Sequence, residues 1–184
     1  MSAPEAKASD SKALIGPDYC RLMARYNTWQ NRSLYTAAAG LSEADREADR
    51  GAFWHSIQGT LSHLMWGDLT WLSRFDGGPG AQGSGKASDT AYDWAALMAE
   101  RPDLDARIMA WAEAVPGEDL TGDLTWYSGF LGRDVSKPKG LCVIQFFNHQ
   151  THHRGQVHAM LTAAGARPDD TDLQVMPEDL PPWP

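Results

Sequence analysis

FFNHQTHHRGQ, Phe146 to Gln156, sets two histidines four residues apart within a stretch whose apolar residues recur at helical spacing. At about 100° per residue, His149 and His153 differ by only about 40° around the axis, so both imidazoles can reach one point in space. The helix that carries them reads from about Leu141 to Ala164 and is stopped by Gly165. On it Cys142, Gln145, Gln156 and Met160 lie within about 40° of His149, and Phe146 and Val157 continue the same face. The pair therefore borders an apolar stripe and points into the body of the protein. His152 falls at the edge of that face and fits a rim or supporting role. His158 falls on the opposite side and fits a surface or subunit contact.

Working outward, three further helices can be read. From about Ala13 to Ala39, Tyr19, Leu22, Met23, Tyr26, Trp29 and Leu34 recur three and four apart, and Gly40 ends the run. After the polar connector SEADREADRG a second helix spans about Phe53 to Phe75, with Ile57, Leu61, Leu64, Leu69 and Leu72 as its stripe. DGGPGAQGSGKASD, Asp76 to Asp89, is a mobile loop by composition and lacks the spacing of a phosphate-binding loop. Ser88 or Asp89 then caps a third helix over Thr90–Val115, in which Pro102 predicts a kink or short break. Between Pro116 and Gly140 the pattern alternates, predicting short strands near Leu120–Tyr127 and Leu131–Lys137. Four long helices with this small hairpin before the last give an all-α, up-down four-helix bundle. Residues 1–12 read as a disordered start and 13–184 as one domain. The proline-rich tail reads as an extended segment packed across the bundle through Leu173, Val175, Met176 and Trp183.

Composition narrows the function. With 16 Lys plus Arg against 24 Asp plus Glu the net charge is −8, and no basic tract offsets it. Phosphate backbones and anionic lipid surfaces are poor partners for such a chain. No apolar run approaches the roughly 20 residues of a membrane span, and the start lacks a signal-peptide core, so a cytoplasmic protein is expected. The two cysteines, Cys20 and Cys142, form no CxxC pattern and read as reduced thiols. Eight tryptophans are many for this length, and some are expected to line a pocket or interface.

Two histidines at helical spacing also occur as hydrogen-bonded core residues, but three imidazoles within HQTHH are hard to explain as packing. His63, mid-helix in TLSHLMWGDLTWL, can supply a third ligand if the second and fourth helices are brought together. His55 lies about 80° from His63 and does not share its direction. Gln150 stands where the zincin pattern HExxH has its glutamate base, which argues against peptide hydrolysis by that route. Arg154, Gln156 and Trp66 are candidates for rim or substrate contacts. Asp68, about 140° from His63, reads as solvent-facing in preference to a carboxylate supporting the ligands. Phe147, Ile144 and Val143 lie on the flank away from His149, open either to a subunit contact or to packing beneath the tail.

GAFWHSIQGTLSHLMWGDLTWLSRF and FFNHQTHHRGQVHAMLTAAG together resemble the two signature segments of the DinB-like, or YfiT-like, metal-binding superfamily. YNTWQNRSLY and TDLQVMPEDLPPW resemble it too, so the likeness covers nearly the whole chain; it departs at Ser62, where asparagine is frequent. The resemblance implies a homodimeric four-helix bundle whose divalent metal is held by His63, His149 and His153. Three neutral imidazoles leave open positions on the metal and do not choose among zinc, nickel and iron. A bound metal lowers the pKa of a coordinated water or thiol. Relatives in the superfamily use low-molecular-weight thiols, so the expected activity is transfer of a thiol cosubstrate to a small electrophilic substrate. A non-catalytic metal-binding, stress-associated protein and a metal-dependent hydrolase are the alternatives.

Overall fold

The computed structural model describes residues 13–82, 91–180 and 182–183. The expected disorder of the first dozen residues and the Ser88 or Asp89 cap lie outside them. The described residues form α1 (Pro17–Ala39), α2 (Glu43–Glu47), α3 (Ile57–Asp76), α4 (Trp94–Ala114), β1 (Asp123–Ser128), β2 (Arg133–Pro138) and α5 (Lys139–Ala163). This is the expected helical bundle with an antiparallel hairpin before the last helix.

Local chemistry sets most boundaries. Pro17 opens α1, where its fixed φ suits a first turn and its missing N–H costs nothing. Ser56 Oγ accepts from Gly59 N at 3.0 Å and caps α3. The expected start at Phe53 is therefore too early, and residues 53–56 form a turn in which His55 takes a left-handed φ of 64°. Asp93 caps α4 by accepting from Ala96 N at 2.8 Å. That helix runs unbroken through Pro102, so the predicted break does not occur. α5 closes with Gly165 N–H on Thr162 O and Ala166 N–H on Leu161 O, each at 3.0 Å, the Schellman pattern that the left-handed Gly165 permits.

α1 packs on α4 and α5, and α3 packs on the same two helices. The four long helices thus close a ring in which α3 and α5 are neighbours. The α1–α3 connection carries α2, the α4–α5 connection carries the hairpin, and neither joins a principal packed pair. Leu34, Ile57, Leu61, Met65, Leu72, Leu97, Ile108, Phe146, Phe147, Val157 and Leu161 fill the centre. Phe147 and Val143 are fully buried, Phe147 against Tyr19, Trp111 and Phe146 in the core, which excludes these two as a subunit contact, whereas Ile144 is half-buried.

The hairpin pairs Asp123 with Pro138 through Ser128 with Arg133, so the strands lie slightly later than predicted. Leu120 sits instead in a buried 3-10 turn that precedes them. Trp126 meets Trp71 edge-on at 5.3 Å, with the Arg74 guanidinium over both rings, and this pins the hairpin to α3. The tail does cross the bundle, but chiefly through its backbone. Thr171 O and Asp170 O accept from Tyr26 and Gln30 of α1, each at 2.8 Å, and Trp183 packs edge-on against Tyr35. Leu173 and Val175 are exposed, contrary to expectation, and lie in a 3-10 turn at Leu173–Val175 that buries none of its residues. Among the described residues no helix is long and apolar enough to cross a membrane.

Candidate metal centre

His63 projects from the middle of α3, and His149 and His153 project from successive turns of α5. The seam between these helices brings His63 Nε2 to 2.9 Å from His149 Nε2. One ligating nitrogen from each of the three lies within 4.8 Å of the others. A tetrahedral ion with metal–nitrogen bonds of about 2.1 Å sets its ligands about 3.4 Å apart, which falls within this spread. Among the described residues this is the one such convergence of three His, Cys, Asp or Glu side chains.

The surroundings hold the rings neutral, the form in which an imidazole can bind a metal. Burial, with the neighbouring His149 and His153 adding to it, pushes His63 from the ordinary 6.5 down to about 3. His153 is pushed down to about 4, by burial first, against the opposing effect of its hydrogen bond to Gln156. His149 is also lowered, by burial and then by His152. His153 Nδ1 lies 2.7 Å from Gln156 Oε1. An amide oxygen can only accept, so Nδ1 carries the proton and Nε2 keeps its lone pair for a ligand role. Gln156→Leu is expected to release that ring and weaken metal binding about 10- to 100-fold while leaving the fold intact, as competition against a chromogenic chelator would read.

Depressed histidines also tie stability to pH. The unfolded chain binds protons from about 6.5 downward, whereas folded His63 and His153 refuse them until about 3 and 4. The folded state therefore binds fewer protons across that window, and the metal-free protein loses stability as pH falls through it. Urea unfolding at pH 7.5, 6 and 5 is expected to show this decline, shallower in His63→Gln than in wild type.

Two glycines shape the site. A Cβ at Gly67 would meet His149 Cε1 at 3.0 Å, so the bare backbone of α3 makes room for the imidazole of α5. A Cβ at Gly59 would lie 2.3 Å from Trp54 O, so only glycine lets the turn before α3 fold onto the helix. That turn stacks Trp54 on His63 with ring centroids 4.1 Å apart, and Trp66 lies near-parallel to His63 at 6.0 Å.

Of the other expected roles, Trp66 and Gln156 do adjoin the histidines. His152 is exposed and touches His153 edge-on at 4.9 Å, a rim position. His55 is exposed and pairs loosely with Asp49 at 3.5 Å. Asp68 is not on the solvent face: it is 1% exposed. It accepts from Arg101 at 2.7 Å and from Gln150 at 2.9 Å. Arg154 is not at the rim either; it is buried on the far side of α5, where it donates to Asn27 Oδ1. Arg101 also pairs with Asp105, which accepts from Asn27 at 3.1 Å and Asn31 at 3.0 Å. One buried polar cluster thus draws on all four long helices directly behind the histidines.

Sequence reasoning missed Trp54, because reading residues 53–56 as helix gave its ring the wrong direction. The Ser56–Gly59 cap was the available signal. Cys142, expected on the His149 face, is buried beside Arg74, and burial raises its pKa. Cys20 is likewise buried and pushed up to about 11. Neither thiol joins the histidines.

No curated protein and no solved structure matches the chain. The sequence model of the DinB family matches residues 11–179, nearly the whole length, and the chain belongs to that family.

Proposed function

We propose that His63, His149 and His153 hold a divalent metal, zinc, nickel or iron, and that the protein transfers a low-molecular-weight thiol to a small electrophile. The convergence of three neutral imidazoles with no carboxylate among them carries this reading. When bound, such a metal would supply Lewis acidity that lowers the pKa of a coordinated thiol or water. The residues present fit it, since Gln156 leaves His153 Nε2 free to bind and Gly67 keeps His149 seated. Trp54 and Trp66, both near-parallel to His63, give a small substrate apolar ring surface beside the histidines. Because Cys20 and Cys142 are buried and protonated, the nucleophile has to come from a cosubstrate. The homodimer implied by family likeness is part of this proposal; sedimentation at micromolar concentration tests it.

The activity test is conjugation. Metal-loaded protein is expected to accelerate displacement of chloride from 1-chloro-2,4-dinitrobenzene by N-acetylcysteine, with His153→Ala abolishing the rate. Loaded protein that turns over no thiol across a panel favours a binding role. Ester or amide hydrolysis without added thiol favours a hydrolase.

A further inference from the structure

A cavity of about 310 Å³ opens on the side of α5 opposite the histidine pair. Tyr26 and Gln30 of α1, Thr151, Arg154 and His158 of α5, and Thr171 of the tail line it. Its distinguishing group is Arg154, which is 4% exposed. The guanidinium donates to Asn27 Oδ1, reaches Thr151 Oγ1 at 3.4 Å, and lies 5.5 Å from the centre of the Tyr26 ring. Both carboxylates of the buried cluster, Asp68 and Asp105, pair with Arg101 instead. A guanidinium has five N–H donors in a planar fork, so several remain uncommitted on a cation removed from water. Burial without a contacting anion disfavours the charge and pushes Arg154 down to about 10. His158 Nδ1, in the same lining, is buried without a partner.

We propose that this cavity binds a small organic monocarboxylate, whose planar head pairs with Arg154 while its apolar body lies against Tyr26, Gly155 and Ala159. A carboxylate matches the guanidinium fork and would be the one anion in direct contact with Arg154, whose charge Asp68 and Asp105 offset only from a distance. The rim selects against higher charge: the exposed Asp170 and Asp172 flank the mouth on a chain of net charge −8. Both oppose anions in proportion to charge, so a monocarboxylate is disfavoured less there than a polyanion such as inorganic phosphate. The cavity volume suits a ligand of one ring or a short chain. This site is separate from the histidine seam and does not depend on the activity proposed for it.

The experiment titrates the full-length protein with sodium benzoate and follows amide shifts by NMR. Benzoate is expected to shift Thr151, Gly155 and Ala159 saturably in the millimolar range, with benzamide and inorganic phosphate inert. Arg154→Lys keeps the charge but loses the fork, and is expected to weaken binding about tenfold or more. A Cβ at Gly155 meets nothing within 4 Å, so Gly155→Leu should fold and fill the cavity, abolishing binding without touching Arg154. His63→Ala is expected to bind benzoate as wild type does. The proposal is overturned by shifts that do not saturate, by equal binding of benzamide or phosphate, by full binding in Gly155→Leu, or by loss of binding in His63→Ala.

Discussion

Arg101→Met is expected to be the most destabilising single change in the bundle, by about 3 to 5 kcal/mol in urea unfolding. Arg101 is 1% exposed and is the direct ion-pair partner of both Asp68 and Asp105. Burial works against its charge, and Asp105 and Asp68 more than compensate, so its pKa stands above the ordinary value. Methionine fills similar volume but leaves two carboxylates in the core with only amide partners, Gln150 for one and Asn27 and Asn31 for the other. For a domain of this size the loss corresponds to a fall in Tm of about 6 to 20 °C. If the variant melts within about 2 °C of wild type, the pairs contribute little beyond their own desolvation cost. A triple variant that also replaces Asp68 and Asp105 with leucine is expected to recover only part of the stability, because it removes the two carboxylates that offset the charge of buried Arg154.

The second large effect concerns the seam. His63→Ala removes the ligand proposed for α3 and is expected to lower divalent-metal affinity by more than the 10- to 100-fold typical of losing an outer-shell partner. The metal-free variant should still fold, since Leu61, Leu64 and Met65 keep the packing of that turn. Competition with a chelator, run with zinc and nickel on wild type and variant, reads the change directly. Equal affinities in the two proteins would remove His63 from the site and leave only the α5 pair.

The bundle was legible because its helices carry long apolar stripes at a period that permits few other structures. His149 and His153 were legible for the same reason, since helical geometry alone put both rings on one side of α5. His63 needed a fact that periodicity does not hold, namely that α3 and α5 are neighbours in the ring. Asp68 was misplaced because an angle measured from His63 gives only a direction on α3. The flank it faces is covered by Arg101 of α4 and Gln150 of α5, and no pattern within α3 records those partners. Arg154 was misplaced likewise: a charged residue beside two ligands reads as a rim group until α1 and the tail are seen to cover it. Trp54 was lost to a boundary error, because a turn before a helix obeys cap and glycine chemistry in place of a 3.6-residue period. Pro102 predicts a kink or a short break, and of these the break is absent because α4 continues through it.

His63 and His149 stand 86 positions apart in the chain yet touch across one seam. An ion gripping both acts as a topological staple, closing a loop that contains all of α4 and the hairpin. In the chain-entropy description, a permanent cross-link over so long a loop restricts the unfolded chain by roughly 4 to 5 kcal/mol. A reversible coordinate link draws on the same restriction only while the ion stays bound. Loading the seam would therefore act on the fold as well as on the proposed chemistry. It would couple the arrival of a cation to the moment when the two halves of the chain commit to each other, and slow their parting.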